Sequence, residues 1–126
     1  MKACKVLGAT VTLLLTPQLA AAQDVSAGEA VFKKCAACHA ADDGTNKVGP
    51  HLGHVVGRTA GTVEGFKYSK AMIDAGASGL VWNEAVLSEY LVAPKAKIPG
   101  TKMTFAGLKK PEEVQNVIAY LKSISQ

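Results

Sequence analysis

The stretch CAACH, Cys35 to His39, constrains this chain more than any other part of it. On a helix, positions i, i+3 and i+4 share one face, so Cys35, Cys38 and His39 can all meet a single flat partner. Four chemistries use two thiols and an imidazole packed this closely: a disulfide, a zinc site, a redox dithiol and a covalently held haem. A structural zinc needs four ligands. Here three are at hand, His51 or His54 would have to supply the fourth, and a histidine directly beside a cysteine ligand is poor zinc geometry. A thioredoxin-like dithiol sits at a helix N-terminus after a strand, whereas this motif follows a helical stretch. Cys-x-x-Cys-His is the attachment signal of c-type haem. In that chemistry the thiols add to the vinyl groups and the histidine becomes the proximal iron ligand. It is the reading the motif favours, with a plain disulfide as the simplest alternative.

The compartment bears on that choice. The chain opens MKACKVLGATVTLLLTPQLAAAQD. Lys2 and Lys5 form a basic start, Val6–Leu15 is an apolar run, and Ala20, Ala21 and Ala22 supply a small-residue cleavage pattern, the layout of a secretory signal peptide. The run is too short to span a bilayer comfortably, and Pro17 interrupts its continuation. Cleavage after Ala22 is expected, leaving residues 23–126 as one exported domain in the periplasm. Cys4 then leaves with the signal, so Cys35 and Cys38 are the only thiols in the mature chain. Removing Lys2 and Lys5 lowers the formal charge from +4 to +2, which gives no basic footprint for nucleic acid. A monomer without stable membrane insertion after cleavage is expected.

The periodicity predicts an all-α domain. Residues 24–39 read as a helix, with Ser26 and Glu29 as a capping box. Asn83–Ala93 reads as another, capped by Asn83 and ended by Pro94, and a short helical turn is expected around Ser69–Ala75. Pro111–Ile124 begins with proline and two acidic residues. It carries the stripe Val114, Val117, Ile118, Leu121, Ile124. Two long loops remain, residues 40–67 and 94–110, and such loops are unusual in a compact domain. So few short helices bury little apolar surface. Loops wrapped around a bulky apolar cofactor resolve that difficulty. If the cofactor is haem, the iron needs a sixth ligand, and Met103 is the better placed of two candidates. The turn at Pro99-Gly100 can present its sulfur, whereas Met72 lies on the short helix. A methionine in a loop is otherwise a gap-filler.

The segments AGEAVFKKCAACH, KVGPHLGHVVGR, GFKYS, VWNEAVLSEYLVAPKAKIPGTKMTFAGLKK and VIAYLKS occur in one order over nearly the whole exported chain. In that order and spacing the sequence resembles class I cytochrome c, and with its export signal the bacterial periplasmic branch. The resemblance implies the cytochrome c fold, with the N- and C-terminal helices crossing so that Gly28 and Phe32 pack on Val117 and Tyr120. It implies one covalent haem c bound through Cys35 and Cys38, with iron ligands His39 and Met103. By the same resemblance the Pro50 carbonyl holds the second nitrogen of His39, and Arg58, Tyr68, Trp82 and Ser69 surround a buried propionate. Tyr90 and Thr101 line the Met103 side, and Phe105 covers the haem edge. His51 stands where the family usually has asparagine, and Met72 falls in a stretch longer than in the mitochondrial form. His51 and His54 read as surface residues.

The function implied is electron transfer rather than catalysis. A quinol-oxidising cytochrome complex would be the donor and a terminal oxidase or photosynthetic reaction centre the acceptor. Lys34, Lys47, Lys95, Lys97, Lys102, Lys109 and Lys110 fall in segments that flank the haem edge. Together they suggest a positive ring that steers docking onto acidic surfaces of membrane redox complexes. Two other classes compete: a haem enzyme or gas sensor, which needs an open sixth position, and a thiol–disulfide protein, which would be colourless.

Overall fold

The computed structural model describes residues 24–42 and 44–126; the expected signal peptide and its cleavage point lie outside them. Five helices form among the described residues: α1 (Val25–Phe32), α2 (Lys70–Ala77), α3 (Glu84–Val92), α4 (Pro94–Lys97) and α5 (Pro111–Ser123). The described residues hold no strand, only an isolated antiparallel bridge between Thr59 and Val81. None of these helices is long and apolar enough to cross a membrane.

The helix starts follow from local chemistry. Asp24 caps α1 by accepting the Ala27 N–H at 3.0 Å, so the expected Ser26–Glu29 box is replaced by a cap two residues earlier. Ser69 caps α2 through the Met72 N–H, and Asn83 caps α3 through the Val86 N–H. Each supplies an oxygen to a backbone donor that has no partner within its helix. Pro94 not only ends α3. It is also the first residue of α4, where its fixed φ is already helical and its missing N–H is no loss.

The expected helix over 24–39 ends as α-helix at Phe32. Beyond it the chain coils in a looser spiral. Lys34 and Cys35 bond three residues back, to the Val31 and Phe32 carbonyls, and Ala36 bonds four back, to Phe32. His39 returns to the Cys35 carbonyl at 3.0 Å, so the motif keeps one helical turn of its own.

Among the described elements, α1 and α5 make the most extensive contact. The crossing is close because Gly28 has no side chain: a Cβ there would stand 1.9 Å from the Asn116 carbonyl oxygen and 2.9 Å from the Tyr120 Cβ. Phe32 lies against Tyr120 with ring centroids 5.1 Å apart. Val117 and Ile118 are each only 1% exposed. They continue into a core holding Val55, Trp82, Leu87, Tyr90, Ile98 and Leu108. Helices α1 and α5 thus form one wall, from which the CAACH turn hangs.

Candidate functional site

The site is assembled from the CAACH turn and two loops. Cys35 is partly buried, Cys38 is exposed, and both thiols are free. Burial pushes the Cys35 thiol up, an effect opposed by the Lys34 ammonium. Residues 47–52 lie alongside the motif. Gly49 donates its N–H to the Cys38 carbonyl at 2.8 Å and Leu52 donates to the Ala40 carbonyl at 2.8 Å. The Lys47 ammonium closes on the Ala36 carbonyl at 2.6 Å.

This docking brings the Pro50 carbonyl to 2.7 Å from Nδ1 of His39. A carbonyl can only accept, so Nδ1 carries the proton and Nε2 keeps its lone pair. Burial pulls the His39 pKa below its ordinary value; the Pro50 bond opposes this, and the Lys47 and Arg58 charges reinforce it. The ring is therefore a neutral imidazole at pH 7 with one nitrogen committed and one available, as a metal-ligating histidine requires.

Arg58 clamps the same loop, donating Nη1 to the Gly53 carbonyl at 3.0 Å and Nη2 to the His51 carbonyl at 3.1 Å. Trp82 exchanges backbone bonds with this stretch, to Arg58 and from Gly57, and its ring lies 4.8 Å from that of Tyr90. The Tyr68 hydroxyl accepts the Val63 N–H at 3.2 Å, and the Ser69 hydroxyl accepts the Met72 N–H. In each case the hydroxyl proton stays available to donate. Burial raises the Tyr68 and Tyr90 pKa values, so both phenols remain protonated donors at pH 7.

Met103 sits in the second loop, partly buried. The Tyr90 hydroxyl points to its sulfur at 3.8 Å, and its N–H meets the Thr101 hydroxyl at 3.3 Å. Burial of Tyr90 is partly offset by its own bond to Thr101, so the three residues form one cluster. Met72 is 8% exposed and belongs to the apolar core.

A covalent haem needs two free sulfurs beside an imidazole with one open nitrogen, and a soft second donor. Cys35, Cys38, His39 and Met103 meet that chemistry. The zinc alternative does not fare as well: among the described residues no group of three or more His, Cys, Asp or Glu could hold a metal ion.

The lysines divide. Lys34, Lys109 and Lys110 line one depression with Phe105, Gly107, Leu108 and Glu113. The depression does not include Lys47, Lys95, Lys97 or Lys102. Lys34 is gripped by both Glu113 oxygens at 2.9 Å. Lys97 pairs with Glu89, Lys102 reaches toward the Tyr68 carbonyl at 3.5 Å, and Lys109 bonds the Ala106 carbonyl at 3.1 Å. His51 is partly buried rather than on the surface, because its backbone is held inside the loop: its N–H goes to Asn46 and its carbonyl to Arg58. His54 is exposed, as expected.

Comparison with known proteins places these residues in context. A family model described as "Cytochrome c" matches residues 25–125. The chain is 57% identical over 99 residues to a cytochrome c2 of Agrobacterium tumefaciens (strain II Chrys), spanning 78% of this chain and 89% of that one. It is 52% identical over 107 residues to a cytochrome c2 of Blastochloris viridis, spanning 84% and 82%. Among solved structures, cytochrome cH from Methylobacterium extorquens superposes with a TM-score of 0.73 at 46% identity, covering 79% of this chain and 98% of that one.

Proposed function

Since the chain belongs to the cytochrome c family of electron-transfer haem proteins, with covalently bound haem c, we propose that it shuttles one electron between a quinol-oxidising cytochrome complex and a terminal oxidase or photosynthetic reaction centre. Bound haem supplies the ferric–ferrous couple. Cys35 and Cys38 would hold the haem through thioether bonds, and His39 and Met103 would supply a nitrogen and a sulfur to its iron. Residues 1–22 direct export, and residues 23–126 work in the periplasm as a monomer.

The observation that carries the reading is the His39–Pro50 contact at 2.7 Å. It leaves a single nitrogen for iron and raises the ring's donor strength. Tyr90 and Thr101 steady Met103, so a soft thioether can stay in place in both oxidation states and favour Fe(II). Arg58, Tyr68, Trp82 and Ser69 provide charge and donors for a buried carboxylate. Phe105 and the lysines around it form the docking edge; Lys47, Lys95, Lys97 and Lys102 extend the positive field.

The test is spectroscopic and chemical. Periplasmically expressed protein should give a c-type pyridine haemochrome and a ferric methionine–iron charge-transfer band. Changing Cys35 and Cys38 together to Ala should let acid–acetone extract all the pigment. Pigment that stayed with the double variant would overturn the attachment.

A further inference from the structure

We propose that Gly49 is a positioning residue for His39: the space left by its missing side chain, together with the Pro50 carbonyl, sets the plane of the imidazole ring. The inference rests on His39 being an iron ligand. A single hydrogen bond fixes where Nδ1 points but tolerates departures of roughly 30° from linearity, so the ring could still swing about that bond. Gly49 blocks the swing. A Cβ built on it would stand 2.3 Å from Cε1, 2.7 Å from Nδ1 and 2.9 Å from Nε2 of His39. Those distances put it over the Cε1 edge of the ring, between the two nitrogens. The backbone of Gly49 therefore already lies against the imidazole, where any side chain would drive the ring away.

The glycine cannot retreat. Its N–H is tied to the Cys38 carbonyl at 2.8 Å, and its carbonyl accepts the Lys47 N–H at 2.9 Å. Its successor supplies the Pro50 bond, so two adjacent residues hold the ring by an edge and a face. Ordinary contact begins at 3.4 Å, so an alanine there has to tilt or displace the imidazole. The plane of a ligating imidazole, together with the direction of the thioether lone pair, selects which iron π-type orbital carries the ferric hole. It thereby sets the direction in which unpaired spin spreads across the macrocycle. Gly49 would thus tune electronic structure without touching iron.

The experiment compares ferric holoproteins by proton NMR and EPR. Gly49→Ala should keep the low-spin, methionine-ligated spectrum yet change the pattern of hyperfine-shifted haem-methyl resonances and the g-values. Val48→Ala alters the neighbouring side chain, which is 80% exposed, and should leave that pattern native. Gly76→Ala is the control for strain. Its Cβ would stand 1.9 Å from the Ala60 carbonyl oxygen, so it should lower the melting temperature and leave the pattern native. An unchanged pattern in Gly49→Ala, or an equal change in Gly76→Ala, overturns the proposal. If Gly49→Ala does not fold, the unmodified ferrous protein decides. A nuclear Overhauser effect between Gly49 Hα and His39 Hε1 is expected, and its absence overturns the proposal. An unmodified protein with no histidine-ligated low-spin signal would instead sink the ligand reading itself.

Discussion

Met103 and Met72 carry the same thioether into opposite settings. Met103 lies at the edge of the core with the Tyr90 hydroxyl at its sulfur and the Thr101 hydroxyl at its backbone N–H, whereas Met72 is buried within the core. Met103→Ala should therefore lower the reduction potential by a sizeable part of the roughly 0.8 V that axial ligands span. It should also shift ferric iron toward high spin and open the protein to carbon monoxide. Met72→Ala should cost about 2–5 kcal/mol of stability and leave the spectrum low-spin. Loss of the methionine–iron band in the Met72 variant, with its survival in the Met103 variant, would reverse the assignment. His39 adds a pH dependence. Its pKa is depressed in the folded state, so below about pH 6.5 the unfolded chain binds the extra proton first. The stability this gives is present above that pH and is lost as pH falls through the folded value. An acid titration of the low-spin absorption should show its transition below about pH 6.5, where a proton competes with iron for the Nε2 lone pair. The turn joining Cys35 to His39 was legible in the sequence because its spacing is local. Gly49 was not: its role is an empty volume facing a ring ten residues away, and no periodicity or composition marks a missing atom.

Caps decided which elements could be read in advance. Asn83 caps α3 as expected, and α2 forms where a short helical turn was expected, with Ser69 as a cap that was not foreseen. At α1 two capping oxygens compete, and Asp24 takes the bond because the chain enters there, with its own N–H held by Asn116 at 3.1 Å. Asp24→Ala should thus cost about 1 kcal/mol, while Ser26→Ala should fall within about 0.5 kcal/mol of neutral; chemical denaturation of the two variants gives the comparison. The end of α1 was overextended because an i, i+3, i+4 pattern survives in the looser turn after Phe32. α4 was missed because a proline reads equally well as the stop of one helix and the start of the next.

At the scale of the molecule, charge is less evenly available than the lysine tally implies. Lys34 and Lys97 are each held by a carboxylate, from Glu113 and Glu89, contacts that only the folded chain brings together. Exposed pairs of this kind contribute little to stability, but they diminish the field a partner feels. Glu113→Gln should accordingly speed electron transfer with an acidic partner at low salt. Lys109→Glu should slow it more than Lys122→Glu, whose lysine already serves Glu84 on α3. The differences should shrink as ionic strength approaches and passes 0.1 M, where screening acts within about 10 Å. Stopped-flow rates across a salt series test this, and equal slopes for the two lysine variants, which carry the same net charge, would reduce the effect to net charge.

The crossing of α1 over α5 also imposes an order on biosynthesis. Asp24, Gly28 and Lys34 find their partners in Asn116 and Glu113, some eighty to ninety residues later in the chain. At roughly 5–20 residues per second of synthesis, those partners arrive several seconds after CAACH has emerged. Throughout that interval the wall that will support the motif is half built, and both sulfurs hang on an undocked segment. The long wait between α1 and α5 is a window in which covalent chemistry can reach both thiols, the partly buried Cys35 included, before the supporting wall is complete.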